Sequence, residues 1–484
     1  MLPSADKDVS GTAAANLPRK AEQRDTGKDM HNVRVTKTRD SFTTGLGVIA
    51  ATLGSAVGLG NIWKFPALTG LNGGAAFIIV YLLSTLMAGL VVMVAELMLG
   101  RRSKSDALTT FKVLHPKNES WALIGAAGVL SAFLILAFYT EVAGWVFAYI
   151  FKAASGSVLS SDPKVTSAGF EKLITDPVQS VFWQCLVLVF VGAIIVAGVS
   201  KGIEKTTKRL MPVLFLILVM IGVRSLMLPG AAAGLEFLFR PDFSKVTGGV
   251  VLTAMGLAFF KLSVGMGTMI TYGSYFRDDQ NIPMTALRVM LADLTVSILA
   301  GIAIFPAVFT YGFKPEAGPS LLFITIPAVF SQMPFGNVFV VLFFVLGAIA
   351  ATGAMLSILE VPVAYLHQRF GMSRFNATAL TVILLALIGS TAALSNSILA
   401  NFKLFGMTMF DLYDFLTSNV LMPVGGLFIC LFVGWVWGEE QVRAALSNDG
   451  QLRNGAVISV FLFLVKYVAP VTITVILLRG LKII

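Results

Sequence analysis

The sequence predicts an all-α polytopic membrane protein, on three observations. Of its 484 residues 56% are hydrophobic and only 13% charged, about half the charged share of an ordinary soluble domain. The apolar residues fall in blocks. Residues 338–359 carry no charge and 457–478 carry only Lys466, each enough for the ~20 residues that cross a hydrocarbon core. Third, the basic residues collect where apolar runs end. These features exclude a soluble enzyme, a nucleic-acid-binding domain and a disordered scaffold. No nucleic-acid partner is expected; the lipid bilayer is one.

Residues 1–38 are polar and basic with no apolar core for a cleaved signal, so they read as a disordered cytoplasmic tail. Hydropathy and breaker residues then divide the chain into twelve spans. These are 43–67, 75–100, 119–151, 178–199, 207–228, 246–276, 284–312, 337–367, 376–395, 398–420, 421–437 and 455–480. Basic clusters stand before the first span (Arg19, Lys20, Arg24, Lys28, Arg34, Lys37, Arg39), after the second (Arg101, Arg102, Lys104) and after the fourth (Lys201, Lys205, Lys208, Arg209). An even number of crossings separates them, as expected when Lys and Arg stay inside. The net charge of +10 is therefore topological. Twelve crossings place both termini in the cytoplasm, in a multi-pass protein of the inner (plasma) membrane. Cys185 and Cys430 lie inside apolar spans and indicate no disulfide framework. Between spans, 155–177 is polar and external, and the apolar, proline-punctuated 318–330 is expected to form a re-entrant hairpin.

Spans 1 and 6 stand apart. The first holds Gly54-Ser55-Ala56-Val57-Gly58-Leu59-Gly60-Asn61, the sixth Ser263-Val264-Gly265-Met266-Gly267. Each glycine weakens a helix by roughly 1 kcal/mol relative to alanine. Glycine also serves close helix packing, but its recurrence at matching places in two halves favours interrupted helices. Broken backbone at membrane depth survives only beside protein or a wet cavity. It points to a 5+5 inverted repeat, spans 1–5 against 6–10, with a binding site near the midplane.

The run GSAVGLGNIWKFPALTGLNGGAAF (54–77) resembles the first-helix signature of the neurotransmitter:sodium symporter family, whose bacterial members carry amino acids. KGIEKTTKRLMP (201–212), ITYGSYFRDD (270–279), GPSLLFITIPAVF (318–330) and FDLYDFLTSNVLMPVGGL (410–427) are similar in order. The resemblance covers the chain from about residue 39 to the end. It implies the leucine-transporter fold, with repeats over 39–228 and 229–420 followed by two further helices over 421–484.

It also implies roles. Substrate sits between the unwound segments, lined by Ser55, Ala56, Gly58 and Gly60, with its carboxylate near the 58–60 amides and the Tyr139 hydroxyl. Ile135, Val142, Phe260, Ser263, Met266, Met355 and Ile358 line an apolar, adaptable pocket. Gly58 stands where amine-carrying relatives have an aspartate, which favours an amino acid over a monoamine. Lys64 and Asp414 resemble the outer gate, with Phe260 and Tyr139 as the lid beneath. Arg39 and Tyr275 belong to the inner gate, although the aspartate expected opposite Arg39 is Gln368.

The chain departs from the pattern at both sodium sites. The first draws on Ala56, Asn61, a span 6 hydroxyl and a span 7 Asn or Asp; Asn61 and Asp293 are present, but the span 6 position is Lys261. The second draws on carbonyls of Gly54, Val57 and Ala350 plus two span 8 hydroxyls, which here are Gly353 and Ala354. Losing hard oxygen ligands without replacement should abolish useful affinity.

A charge at the bilayer centre costs at least ~2.5–3.5 kcal/mol, so Lys261 needs a partner or a task. Asp293 is the obvious partner, and the ammonium is expected in the volume of the first sodium. Tyr81 and Ser297 match remnants of the family's chloride site, where a lysine makes a required anion unnecessary. Lys261 is either a permanent ion pair or a titrating group that couples transport to protons, with Glu141 a second candidate carrier; Glu96 belongs to the scaffold near span 6.

The sequence thus reads as a secondary transporter for a small apolar or aromatic amino acid, or a related metabolite, working by alternating access. No enzyme is expected, since His31, His115 and His367 lie in tail or loops and no nucleophile or metal constellation appears. No cofactor or metal is expected; the coupling ion is a proton, or none, rather than sodium. Conventional sodium coupling and a ligand sensor on a transporter scaffold are the alternatives, with a monomer or homodimer as the assembly.

Overall fold

The computed structural model describes residues 40–315 and 318–483. Arg39, the expected tail and its cytoplasmic end lie outside the described residues. Over the described residues the chain is helical: α1 Gly45–Ala56, α2 Leu59–Leu71, α3 Ala75–Ser103, α4 Ala107–Leu114, α5 Glu119–Ala154, α6 Pro163–Thr175, α7 Pro177–Val196, α8 Val199–Leu226 and α9 Ala231–Phe239. There follow α10 Gly248–Lys261, α11 Thr268–Gly273, α12 Ile282–Thr310, α13 Leu321–Ser331, α14 Gly336–Arg369, α15 Arg374–Asn396, α16 Met409–Val436, α17 Glu439–Leu446 and α18 Gly455–Gly480.

Both broken spans are present. Helices α1 and α2 meet at a 63° bend over Val57 and Gly58, and α10 and α11 are separated by an unwound stretch, 262–267. Gly265 in that stretch has φ +82, and a Cβ there would lie 2.2 Å from the Met422 carbonyl oxygen, so only glycine lets α16 approach so closely. Glu96 of α3 accepts a hydrogen bond from Gly265 N–H (2.5 Å), the scaffold role expected of it. The breaks face each other, with Ser263 Oγ donating to Ser55 O (2.9 Å). Around them, α5 packs along α14, and α1 lies against α8, α12 and α14.

The expected tenth and eleventh spans, 398–420 and 421–437, are one helix, α16. Gly425 and Gly426 are not breakers: a Cβ on either would lie 2.4 Å from Gly265 O or the Phe259 ring, so they admit the broken span. Pro423 is absorbed because residues Leu416–Leu421 just before it form a π-turn, the kind of local widening that accommodates an interrupted hydrogen-bond ladder. Among the described residues nine helices are long and apolar enough to cross a membrane, ten if the bent pair α1/α2 counts as one span, and α10/α11 is a further interrupted pair. With the expected tenth and eleventh spans merged, the count of twelve that put both termini on one face is not retained. Segment 318–330 forms the single helix α13, buried beside α14, rather than a hairpin of its own. Cys185 and Cys430 are both unpaired.

Candidate functional site

The bend in span 1 builds a small polar cradle. The Asn61 side chain folds back so that its Oδ1 accepts from Gly58 N–H (3.2 Å), and Leu59 N–H donates to the Tyr139 hydroxyl (3.2 Å). Two of the amides expected to hold a carboxylate are thus already engaged. What is left is the Tyr139 proton, which has no acceptor among the described residues, and Gly60, beside which the space is open to 4 Å. The first turn of a helix carries N–H groups without intrahelical acceptors and a positive dipole end, so a carboxylate fits beside Gly60 and Tyr139. A Cβ on Gly58 would stand 3.3 Å from Tyr139 Oη and 3.7 Å from the Ala354 side chain; Gly58, Tyr139 and Ala354 converge. Ser55, Ala56, Ile135, Val142, Ser263, Met266, Met355 and Ile358 are buried, and Tyr139 and Phe260 are half-buried.

Lys261, Asp293, Asn61 and Ser297 form one buried cluster. Lys261 Nζ lies 2.9 Å from Asp293 Oδ2, with either side chain 1% exposed, and donates to Ser297 Oγ (2.6 Å). It also sits over the rings of Phe65 (4.4 Å to centroid) and Tyr81 (5.1 Å), a geometry that attracts a cation. Asn61 Nδ2 donates to Asp293 Oδ1 (2.5 Å) and Ser297 Oγ (3.0 Å). The ammonium is therefore drawn toward Tyr81 and Ser297, the residues expected at the anion site, and reaches the first-cation residues through Asp293.

The residues expected at the second sodium site meet without hydroxyls. A Cβ on Gly353 would lie 2.7 Å from Gly54 O, so α1 and α14 are in backbone contact where a longer side chain would stand. The adjacent Thr352 hydroxyl donates to Ala348 O in its own helix (2.7 Å). Ala350, like Ala354 and Val57, is buried.

The residues expected at the two gates are arranged differently. Lys64 and Asp414 line one cavity of about 580 Å³ with Phe260, Arg479 and Lys482, but make no ion pair with each other: Lys64 Nζ lies 5.3 Å from the Phe260 ring centroid and Asp414 accepts from Ser418 (2.8 Å). On the other side, Tyr275 donates to Glu360 Oε1 (2.6 Å), and Arg374 grips both oxygens of Glu360 at 3.0 and 2.5 Å. Gln368 accepts from Asp106 N–H (2.8 Å). Sequence reasoning missed the Glu360–Arg374 pair, although a fully buried acid in an apolar span demands a partner. Glu141 joins none of these groups; its Oε1 accepts from Trp145 Nε1 (2.6 Å).

The chain is similar to known proteins over most of its length. The chain is 39% identical to the uncharacterized sodium-dependent transporter YhdH of Bacillus subtilis, over 90% of this chain and 96% of that one. It is 33% identical to an uncharacterized sodium-dependent transporter of Haemophilus influenzae, over 92% and 99%. The human sodium- and chloride-dependent creatine transporter 1 is more distant, 26% identical over 83% and 71%. Among solved structures, MhsT in complex with L-phenylalanine superposes with a TM-score of 0.83 at 40% identity, covering 92% of this chain and all of that one. Residues 39–161 and 169–484 match the Sodium:neurotransmitter symporter family, and the chain belongs to it: it is a transporter, not an enzyme.

Proposed function

We propose that the chain carries an apolar or aromatic amino acid by alternating access, and that the buried ammonium of Lys261 does the work of the first sodium ion, so that a proton rather than sodium drives transport. The observation that carries this reading is the Lys261–Asp293–Ser297 cluster. An ammonium beside a carboxylate is already neutral as a group. A sodium ion added about 4 Å from that ammonium would meet a repulsion of ~1–4 kcal/mol at effective dielectrics of 80 to 20, while Asp293, the carboxylate that should offset it, is already paired. The contact of Gly353 with Gly54 argues the same for the second site, where two hydroxyls are missing and the helices close the gap.

Substrate class follows from the apolar lining of Ile135, Val142, Met266, Met355 and Ile358, with L-phenylalanine in the similar MhsT structure as the first ligand to try. Tyr139 and Gly60 hold the carboxylate, and Lys64 and Asp414 close above it. The basic clusters support a cytoplasmic side for residue 40.

A thermal-stability screen of amino acids on the purified chain, run in sodium chloride and in choline chloride, tests this. Large apolar amino acids should raise the unfolding midpoint equally in both salts. Stabilisation by charged amino acids instead overturns the substrate class, and stabilisation only with sodium overturns the coupling. Counterflow of labelled ligand distinguishes the carrier from a ligand sensor.

A further inference from the structure

Trp145 is the hub of an aromatic cluster at the end of the molecule that carries Lys64 and Asp414. Its ring meets Phe170 of α6 edge-on (centroids 5.4 Å, 83°) and Phe323 of α13 likewise (5.9 Å, 83°), and stacks on Phe410 of α16 (6.1 Å, 14°). Phe138 of α5 packs on Phe410 as well (5.5 Å). Phe410 lies one turn before Asp414, and α5 also carries Tyr139 and Val142. Trp145 therefore joins the helix behind the cradle to the helix that bears the gate acid and to the two segments that cap them.

A buried indole N–H needs an acceptor, and Glu141 supplies it at 2.6 Å. Glu141 is 1% exposed. No Lys or Arg stands within ion-pair distance of it among the described residues, and no hydrogen bond links it to the Lys261 cluster. An acid so placed costs several kcal/mol to hold charged, so its presence asks for a task. Residues i and i+4 are neighbours on a helix face, which lets this bond fix the ring without supporting the fold of α5.

We propose that Glu141 is a positioning residue of the outer gate: by accepting from Trp145 Nε1 it sets the ring on which α6, α13 and the start of α16 close. Its function is that of an acceptor, not of a proton carrier. Glutamine at 141 keeps the acceptor and loses the titratable group, and so separates the two roles.

The test is labelling of Thr253→Cys, which lines the gate cavity, by a membrane-impermeant maleimide in full-length protein with Cys185 and Cys430 replaced. It needs no substrate, so it fails or succeeds independently of the proposed amino-acid specificity; an uptake arm with L-phenylalanine rests on that reading. Glu141→Leu and Trp145→Phe should each raise the labelling rate about five-fold or more, as expected for loss of one strong hydrogen bond. Glu141→Gln should stay within about two-fold of the parent, and the Glu141→Leu/Trp145→Phe double variant should label no faster than either single one. In uptake, Glu141→Leu should raise KM while Glu141→Gln preserves it. Glu141→Gln behaving like Glu141→Leu, or Trp145→Phe leaving the labelling rate unchanged, overturns the proposal; the second comparison stands even where Glu141→Leu fails to fold.

Discussion

Lys261 Nζ and Asp293 Oδ2 stand 2.9 Å apart, deep in the membrane-spanning bundle, with 1% of either side chain exposed. The pair is not isolated: Ser297 takes a second ammonium proton, and Asn61 holds the other carboxylate oxygen. Breaking one half of a buried pair is costly because the survivor is left charged and unsolvated, typically 3–5 kcal/mol. Lys261→Met should therefore lower the unfolding midpoint sharply in purified protein. Lys261→Met/Asp293→Leu should recover most of the loss, as seen by the same melting measurement.

Restoring oxygen ligands should restore the ion. Lys261→Thr with Asp293→Asn removes both charges and supplies a hydroxyl and an amide beside Asn61. Uptake by this double variant should become stimulated by sodium, measured against choline at a fixed proton gradient. Uptake that stays indifferent to sodium would show that the second site, not the first, sets the ion requirement.

The second site should resist repair at one position. A Cβ on Gly353 falls 2.7 Å from Gly54 O, a backbone atom that cannot swing aside. Gly353→Ser should destabilise by about 1–3 kcal/mol, the usual range for overpacking, read as a lower unfolding midpoint. Ala354→Ser adds one hydroxyl to an existing Cβ and should shift the midpoint far less.

Tyr139 accepts from Leu59 N–H, and in the proposed function its own proton goes to the substrate carboxylate. Tyr139→Phe should weaken L-phenylalanine binding about ten-fold, in line with loss of a hydrogen bond to a charged group, measured by displacement of labelled ligand. Phenethylamine, which lacks the carboxylate, should bind parent and variant with the same affinity.

On the closed side, Glu360 is fully buried and gripped by Arg374 and Tyr275. Arg374→Ala removes the partner that neutralises it, so the seal should loosen. A cysteine placed at Ala56, behind the seal, should then react with a thiol reagent presented from the Tyr275 side several-fold faster than in the parent.

Much of this was legible in the residues themselves. Glycine density alone located both broken spans, since few other residues allow the backbone of Gly265 its geometry, and Lys261 announced a partner because an unpaired charge has no place there. The span count was not legible. Gly425 and Gly426 look like punctuation along the chain, yet their meaning is set by Gly265 and Phe259, far away in sequence. The location of the ammonium was likewise fixed by rings on other helices, Phe65 and Tyr81, which no local pattern connects to residue 261. Glu360 and Arg374 pair across the turn between α14 and α15, and only the folded turn brings them together.

The account rests on a protein ammonium replacing a bound metal cation, and uptake of labelled L-phenylalanine into proteoliposomes tests this most directly. With choline on both sides and an inward proton gradient, the parent chain should accumulate substrate, and Lys261→Met should not. Accumulation that requires an inward sodium gradient and ignores the proton gradient would contradict it.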